Sequence, residues 1–210
     1  MKLYSSTTSP FVRKVQVVAE EAGIADRITL VPVLTMPTKP SDELIAKNPL
    51  VKMPALELDD GSVLYDSRVI CEYLDTLHER RPLIPASGAP RWTALREQAL
   101  ADGILDAGIL VRYETVLRPA AARSQDWIEA QCLKVTQGLE ALVSQPPRLG
   151  DHPTIGVIST VCALGWLEFR NPLASRPSGP IDMRKQFPEA FAWYEEARRR
   201  PSFEKTEPRG

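Results

Sequence analysis

Up to Leu77 the spacing of apolar residues changes period several times, and each change predicts an element. Lys2-Leu3-Tyr4 is a short apolar strand followed by a polar loop, Ser5 to Thr8. Phe11, Val15, Val18, Ala19 and Ala22 then recur at helical spacing and stop at Gly23, a residue that readily ends helices. Ile28 to Val33 is a β-branched run that reads as a strand, and Thr35 to Pro40, with two prolines, is a loop. Asp42 to Lys47 supplies a short helix. Met53 to Leu58 and Ser62 to Tyr65 are strands joined through the turn Asp59-Asp60-Gly61. Val69, Ile70, Tyr73, Leu74 and Leu77 mark a further helix beginning near Asp66-Ser67. The predicted order is β-α-β-α-β-β-α, an α/β domain over residues 1–79.

The pattern then changes. Residues 80–90 are charged and proline-rich, as an interdomain linker is. Beyond them no strand pattern is found. Trp92 to Leu117, Asp126 to Val143, Ile155 to Phe169 and Phe187 to Arg200 carry helical spacing, the last closed by Pro201. Ile155 to Phe169 is apolar nearly all round, which suits the middle of a bundle. Residues 91–210 are therefore expected to form an all-α domain.

Composition narrows the classes of function. Of the 210 residues 43% are hydrophobic and 25% charged, an ordinary globular balance. The net charge of −1 supplies no field to draw nucleic acid or an anionic membrane. No apolar run approaches bilayer length, and the N-terminus lacks the apolar core of a signal peptide. Cys71, Cys132 and Cys162 are widely spaced and form no C-x-x-C pair, so reduced, buried thiols in the cytoplasm are expected. His78 and His152 have no ligand spacing, and no metal site is expected.

The segment Ser9-Pro10-Phe11-Val12-Arg13 carries the most chemistry. Proline is favoured at the first position of a helix, which makes Ser9 its N-cap, beside free backbone N–H groups. A helix start of this kind attracts anions, a thiolate included. Thioredoxin-like and glutaredoxin-like proteins carry Cys-Pro-x-Cys at this spot. Here the two cysteine positions are Ser9 and Val12, so dithiol chemistry is excluded, while stabilising the thiolate of a bound molecule is not.

Several separated motifs, in order, resemble the glutathione S-transferase family over essentially the whole chain. They are Ser-Pro-Phe-Val-Arg-Lys at 9–14, Asn48-Pro49-Leu50-Val51-Lys52-Met53-Pro54-Ala55-Leu56, Asp66-Ser67-Arg68-Val69-Ile70-Cys71-Glu72-Tyr73-Leu74, the link-like Pro82-Leu83-Ile84-Pro85, and Phe187-Pro188 with Arg200-Pro201-Ser202-Phe203. Ala101 to Gly108, with Arg118-Pro119-Ala120-Ala121, is most similar to a bacterial subgroup of uncharacterised homologues. The resemblance implies a thioredoxin-like N-terminal domain that binds glutathione and a helical C-terminal domain that shapes an apolar pocket for an electrophile. It implies a cytoplasmic homodimeric transferase, active in detoxification, with glutathione as co-substrate. The alternatives are a non-catalytic binding or regulatory protein on this fold, or a glutathione-dependent peroxidase, isomerase or dehalogenase. The missing active-site cysteine argues against the thioltransferase and dehydroascorbate-reductase branches.

The residues implied for glutathione are Ser9, Phe11, Met53, Pro54, Asp66 and Ser67. The Ser67 hydroxyl and N–H, at a helix start, suit the γ-glutamyl carboxylate, and Asp66 suits the glutamyl amino group; either residue could equally be a cap and nothing more. Met53-Pro54 is implied to be cis, presenting Met53 N–H and C=O to the cysteinyl backbone like a short added strand; a trans proline opening an edge strand is the plain alternative. Ser9 is the catalytic candidate, donating to the glutathione sulfur, and it too could be only a cap. Thr7 and Thr8 are rival donors, Arg13 a candidate electrostatic helper, and Tyr4 lies within its strand rather than at the helix mouth. Asp102 and Asp106, at i,i+4 with Tyr113 near the same stripe, face either a second substrate or a solvated or dimer-facing edge. Finally, Thr154-Ile155-Gly156-Val157 lacks the acidic residue that closes the family's capping box at the central helix, so a simpler or a shifted cap is expected there.

Overall fold

The computed structural model describes residues 1–208. The chain divides into two units: Met1–Ala86 together with the segment from Pro201, and Ser87–Arg200.

In the first unit, β1 (Lys2–Ser5) is followed by α1 (Pro10–Ala22), β2 (Thr29–Pro32), α2 (Asp42–Ile45), β3 (Ala55–Glu57), β4 (Val63–Leu64) and α3 (Ser67–Asp75). This is the order the hydrophobic pattern predicts. The sheet order is β2-β1-β3-β4; β1 pairs parallel with β2 and antiparallel with β3, and β3 pairs antiparallel with β4. The buried face of α1, with Val15, Val17 and Val18 inaccessible to solvent, packs on the similarly buried face of α3 that carries Ile70, Cys71 and Leu74. Gly23 ends α1 at φ 71°, a backbone conformation that favours glycine, and a Cβ added there would also meet the Arg80 guanidinium at 2.5 Å.

Two details refine the sequence reading. Strand β3 begins only at Ala55, leaving Met53 and Pro54 outside the ladder. Pro201 does not simply close the last helix; it opens a short one, α9 (Pro201–Lys205), which packs against α1. Proline at a first helical position costs no hydrogen bond, so it can end one helix and begin the next. The Pro82–Pro85 stretch is held by Asp75, whose carboxylate accepts from Leu83 N–H (2.8 Å), Ile84 N–H (2.9 Å) and His78 Nε2 (3.1 Å).

The second unit is helical: α4 (Gly88–Leu117), α5 (Gln125–Ser144), α6 (Ile155–Arg170), α7 (Met183–Gln186) and α8 (Pro188–Ala197). Residues Ile155 to Leu167 of α6 are all buried, as its all-round apolar pattern predicts, and α6 packs along α4. At its start the Thr154 hydroxyl accepts from Val157 N–H at 3.4 Å, so of the two alternatives the cap is the simpler one and is not shifted. Glu97 of α4 folds over this same turn; a Cβ added to Gly156 would lie 2.2 Å from Glu97 Oε2. Asp102 and Asp106 part company: Asp102 is 1% exposed, while Asp106 is open to solvent, so the pair does not form a single solvated edge. No helix among the described residues is long and apolar enough to cross a membrane.

Candidate functional site

Strand direction decides which loops of the first unit meet. Strand β1 runs out at Ser5, and its partner β3 runs the other way, entering opposite Tyr4 at Ala55. Met53-Pro54 therefore precedes β3 at the end of the sheet where the Ser6–Thr8 loop leaves β1. Strand β4 is antiparallel to β3 and so parallel to β1, with Leu64 opposite Leu56. Tyr65-Asp66-Ser67 thus leaves at that end as well. The topology brings three of the sequence candidates, Ser9-Pro10, Met53-Pro54 and Asp66-Ser67, to one end of a single sheet.

Ser9 is the N-cap of α1, with extended backbone (φ −85°, ψ 119°) and Pro10 behind it. Its C=O accepts from Arg13 N–H at 3.0 Å, and its Oγ accepts from Val12 N–H at 3.3 Å. The hydroxyl proton has no acceptor among the described residues, so the group can donate outward while its oxygen is polarised from within. Rival hydroxyls are placed differently. Thr8 Oγ1 pairs with Ser6 Oγ at 3.2 Å. Tyr4 donates to Glu57 Oε2 at 2.7 Å, and Lys47 Nζ sits 2.9 Å from the same oxygen. Burial, then the Glu57 hydrogen bond and charge, raise the Tyr4 phenol above its ordinary value, with Lys47 opposing. Donation by Tyr4 and then by Lys47 lowers the Glu57 carboxyl. A phenol held this way is a structural donor.

Arg13, the candidate electrostatic helper, is 4% exposed and turned elsewhere: its Nη2 donates to the Phe203 C=O at 3.1 Å, tying α1 to α9. Phe11 is half-buried on the first turn of α1, with Lys14 Nζ 5.6 Å from its ring centroid.

The Met53–Pro54 peptide is cis. Met53 is half-buried against Tyr4, Val33, Leu44 and Ala55. Its main-chain N–H and C=O make no hydrogen bond among the described residues, leaving one donor and one acceptor at the mouth of β3. The turn before it is built by Asn48, whose Oδ1 accepts from Leu50 N–H (3.0 Å) and whose Nδ2 donates to Lys52 C=O (2.8 Å). This fixes Val51 in the left-handed region at φ 52°. Asn48 is a positioning residue that a search for reactive side chains passes over; its signal is an Asn-Pro turn just upstream of the candidate.

At α3 the two roles are divided. Asp66 is the N-cap, its Oδ1 accepting from Arg68 N–H at 2.9 Å, and the peptide before it, Tyr65–Asp66, is cis. Ser67 is the first helical residue and is buried. Capping here is observed at Asp66 and not at Ser67.

Cys71, Cys132 and Cys162 are buried, and none is in a disulfide. Burial, then the Glu129 charge, pushes the Cys132 thiol up to about 11, which makes it a poor nucleophile. Among the described residues no group of three or more His, Cys, Asp or Glu is gathered to hold a metal ion.

Comparison with known proteins matches residues 8–77 to the family "Glutathione S-transferase, N-terminal domain". The chain is 32% identical to the uncharacterised GST-like protein YibF of Escherichia coli K12, over 99% of this chain and 98% of that one. A glutathione transferase family member from Pseudomonas fluorescens Pf-5, solved with bound glutathione, superposes with a TM-score of 0.93 at 42% identity, covering 100% of this chain and 99% of the other. A second structure from that organism, solved with bound S-(propanoic acid)-glutathione, gives a TM-score of 0.88 at 42% identity and 99% coverage of both chains.

Proposed function

The chain belongs to the glutathione S-transferase family, and from that premise we propose that it binds glutathione at the Ser9, Met53 and Ser67 end of its sheet, ionises the thiol, and adds the sulfur to a small electrophile. The observation that carries this reading is the Ser9 hydroxyl: it stands at a helix start, accepts from Val12 N–H, and keeps its proton for an outside acceptor. A free thiol titrates near ~8.5, and lowering that by two units needs about 2.7 kcal/mol. A hydrogen bond to a charged group contributes about 1.5–3 kcal/mol and a helix start about 0.3–1 kcal/mol more, so the two together suffice.

The rest of glutathione follows from the two neighbouring loops. The unbonded N–H and C=O of Met53 take the cysteinyl backbone in strand fashion. The buried Ser67 hydroxyl and the N–H groups of the first turn of α3 take the γ-glutamyl carboxylate, with Asp66 drawing the amino group. Phe11 and Pro54 bound the site as apolar walls. The protein acts in the cytoplasm as a homodimer and serves detoxification, readings that rest on the family and on three buried cysteines outside any disulfide. No resident cofactor or metal enters the proposed chemistry.

Calorimetric titration with glutathione tests the binding step, and the ultraviolet absorbance of the bound thiolate against pH tests the ionisation. The expected result is saturable binding with a thiol pKa one to two units below the free value of about 8.5. No binding at millimolar glutathione would overturn the proposal. Binding with an unshifted thiol would leave a glutathione-binding protein without a transferase mechanism.

A further inference from the structure

The loop that presents Met53 is gripped at both flanks by one carboxylate. Lys47 stands immediately before Asn48, where the loop begins, and Glu57 lies on β3 just beyond Pro54, where it ends. Lys47 Nζ sits 2.9 Å from Glu57 Oε2, so this ion pair closes the neck of the loop. The same oxygen accepts from the Tyr4 hydroxyl at 2.7 Å, which fastens the neck to β1. Lys47 Nζ also lies 5.9 Å from the Tyr4 ring centroid, a second contact of the cation with that strand. Tyr4 is buried, while Glu57 and Lys47 expose 17% and 29% of their side chains, so neither charge is cut off from water.

The other contacts shape the loop without aiming it. Asn48 braces it from inside through Leu50 N–H and Lys52 C=O, and its own C=O accepts from Val51 N–H at 2.8 Å. Lys47 N–H and Asn48 N–H both donate to Leu44 C=O, at 3.1 and 2.8 Å, which hangs the loop on the end of α2. Val51 and Met53 rest against Tyr4, Val33, Leu44 and Ala55, but apolar contact is non-directional. Strand pairing does not hold Met53 either, because the β1–β3 ladder starts at Ala55. Direction comes from the Glu57 cluster, where two donors from different elements meet on one oxygen and satisfy one arrangement. Donation by Tyr4 and then by Lys47 holds the Glu57 carboxyl below its ordinary value, and donation to Glu57 raises the Lys47 ammonium in turn. Both groups are therefore charged throughout the neutral range.

We propose that Glu57 is a positioning residue for glutathione: by holding Lys47 and Tyr4 on one carboxylate oxygen it clamps the two flanks of the 48–54 loop, and so aims the unbonded N–H and C=O of Met53 at the cysteinyl backbone. A hydrogen bond weakens steeply as its angle departs from linear, so a loop free to swing at its neck would lose both. The inference rests on the glutathione reading for the identity of the ligand; the clamp itself is a property of the first unit alone.

Two ligands separate positioning from a general loss of structure: glutathione, and a depsipeptide analogue in which an ester oxygen replaces the cysteinyl N–H. The analogue cannot donate to Met53 C=O, so it already lacks one of the two hydrogen bonds. Each is titrated calorimetrically into the full-length protein and into Glu57→Gln and Lys47→Met, with thermal melting to confirm that the variants fold. Each variant should weaken glutathione by about four- to tenfold and the analogue by only about twofold. The double variant should be no worse than either single one, because both break the same clamp. Equal losses for the two ligands would make the cluster structural only, and an unchanged glutathione affinity would overturn the proposal outright. Should the unaltered protein fail to bind glutathione, the transferase reading falls, and hydrogen exchange decides the clamp. The Asn48, Leu50 and Val51 amides should then exchange faster in Glu57→Gln, and unchanged exchange would mean that Glu57 holds nothing there.

Discussion

Helices α1 and α6 begin in almost the same way and are completed differently. Each has a hydroxyl N-cap at φ −85° whose oxygen accepts from the N–H three residues on, at 3.3 Å from Val12 in α1 and 3.4 Å from Val157 in α6. Neither has an acidic residue in its first turn. At α6 the side chain of Glu97, from α4, is packed over Gly156 in that first turn. Burial raises that carboxyl above its ordinary value, with the Arg96 charge opposing. At α1 no such acid is laid on the first turn; Pro10 occupies the position of Ile155, and the residues that follow the first turn are basic, Arg13 and Lys14. One helix start is covered by a carboxylate side chain from a neighbouring helix, and among the described residues the other carries no such cover. The same capping residue type is thus structural at one end and a candidate for chemistry at the other.

Substituting Ser9 tests that contrast most severely, since the cap and the proposed donor are one atom. Ser9→Ala should lower turnover about ten- to a hundredfold and raise the bound-thiol pKa by about one to two units. It should also cost about 1 kcal/mol of stability from the lost cap. Ser9→Asp separates the two effects, because Asp caps as well as Ser but sets a negative charge against the thiolate. Stability should be kept while the bound-thiol pKa rises further than in Ser9→Ala. If both variants left the thiol pKa where it was, Ser9 would be a cap of the Thr154 kind and the contrast between the helices would vanish.

The reverse substitution is at α6. Gly156→Ala should destabilise by about 1–3 kcal/mol, because the added Cβ meets Glu97, although alanine alone would favour a helix by roughly 1 kcal/mol over glycine. In a Glu97→Gly background, which removes the Glu97 Cβ (2.6 Å from the added Cβ) as well as its carboxylate, the same change should become neutral or stabilising, as read by chemical denaturation. Persistence of the full penalty in the double variant would show that Glu97 is not what covers this helix start.

How much of this was legible in the sequence depends on the range of the interaction. The order of elements in the first unit, the Gly23 stop and the Ser9 and Thr154 caps are encoded within a few residues, and each was readable from local pattern. The meeting of Ser9, Met53 and Ser67 at one sheet end needs the strand order β2-β1-β3-β4, which no local window contains; only the ordered motifs of the family pointed to it. The engagement of Tyr4 with Glu57 and Lys47 and the turning of Arg13 toward Phe203 were not legible at all. Each joins side chains distant in sequence whose pairing only the packed fold decides. Asp102 and Asp106 show the same limit in reverse: spacing put them on one helix face, and the edge of the α4 packing surface runs between them.

The smaller effects sharpen the contrast by dividing cap from ligand. At α3 the two jobs lie on adjacent residues, so Asp66→Asn should keep the cap, leave stability within about 0.5 kcal/mol, and weaken glutathione binding by about tenfold through loss of the charge. Calorimetry beside thermal melting reads both, and a loss of stability without a loss of affinity would make Asp66 a cap only. At α6 there is a cap and no proposed ligand. Thr154→Ala should cost about 1 kcal/mol of stability and leave glutathione affinity and the bound-thiol pKa unchanged, with Thr154→Ser close to neutral. A change in glutathione affinity at Thr154 comparable to that at Asp66 would mean that losing any helix cap disturbs binding, and the selectivity claimed for the α1 and α3 starts would have to be given up.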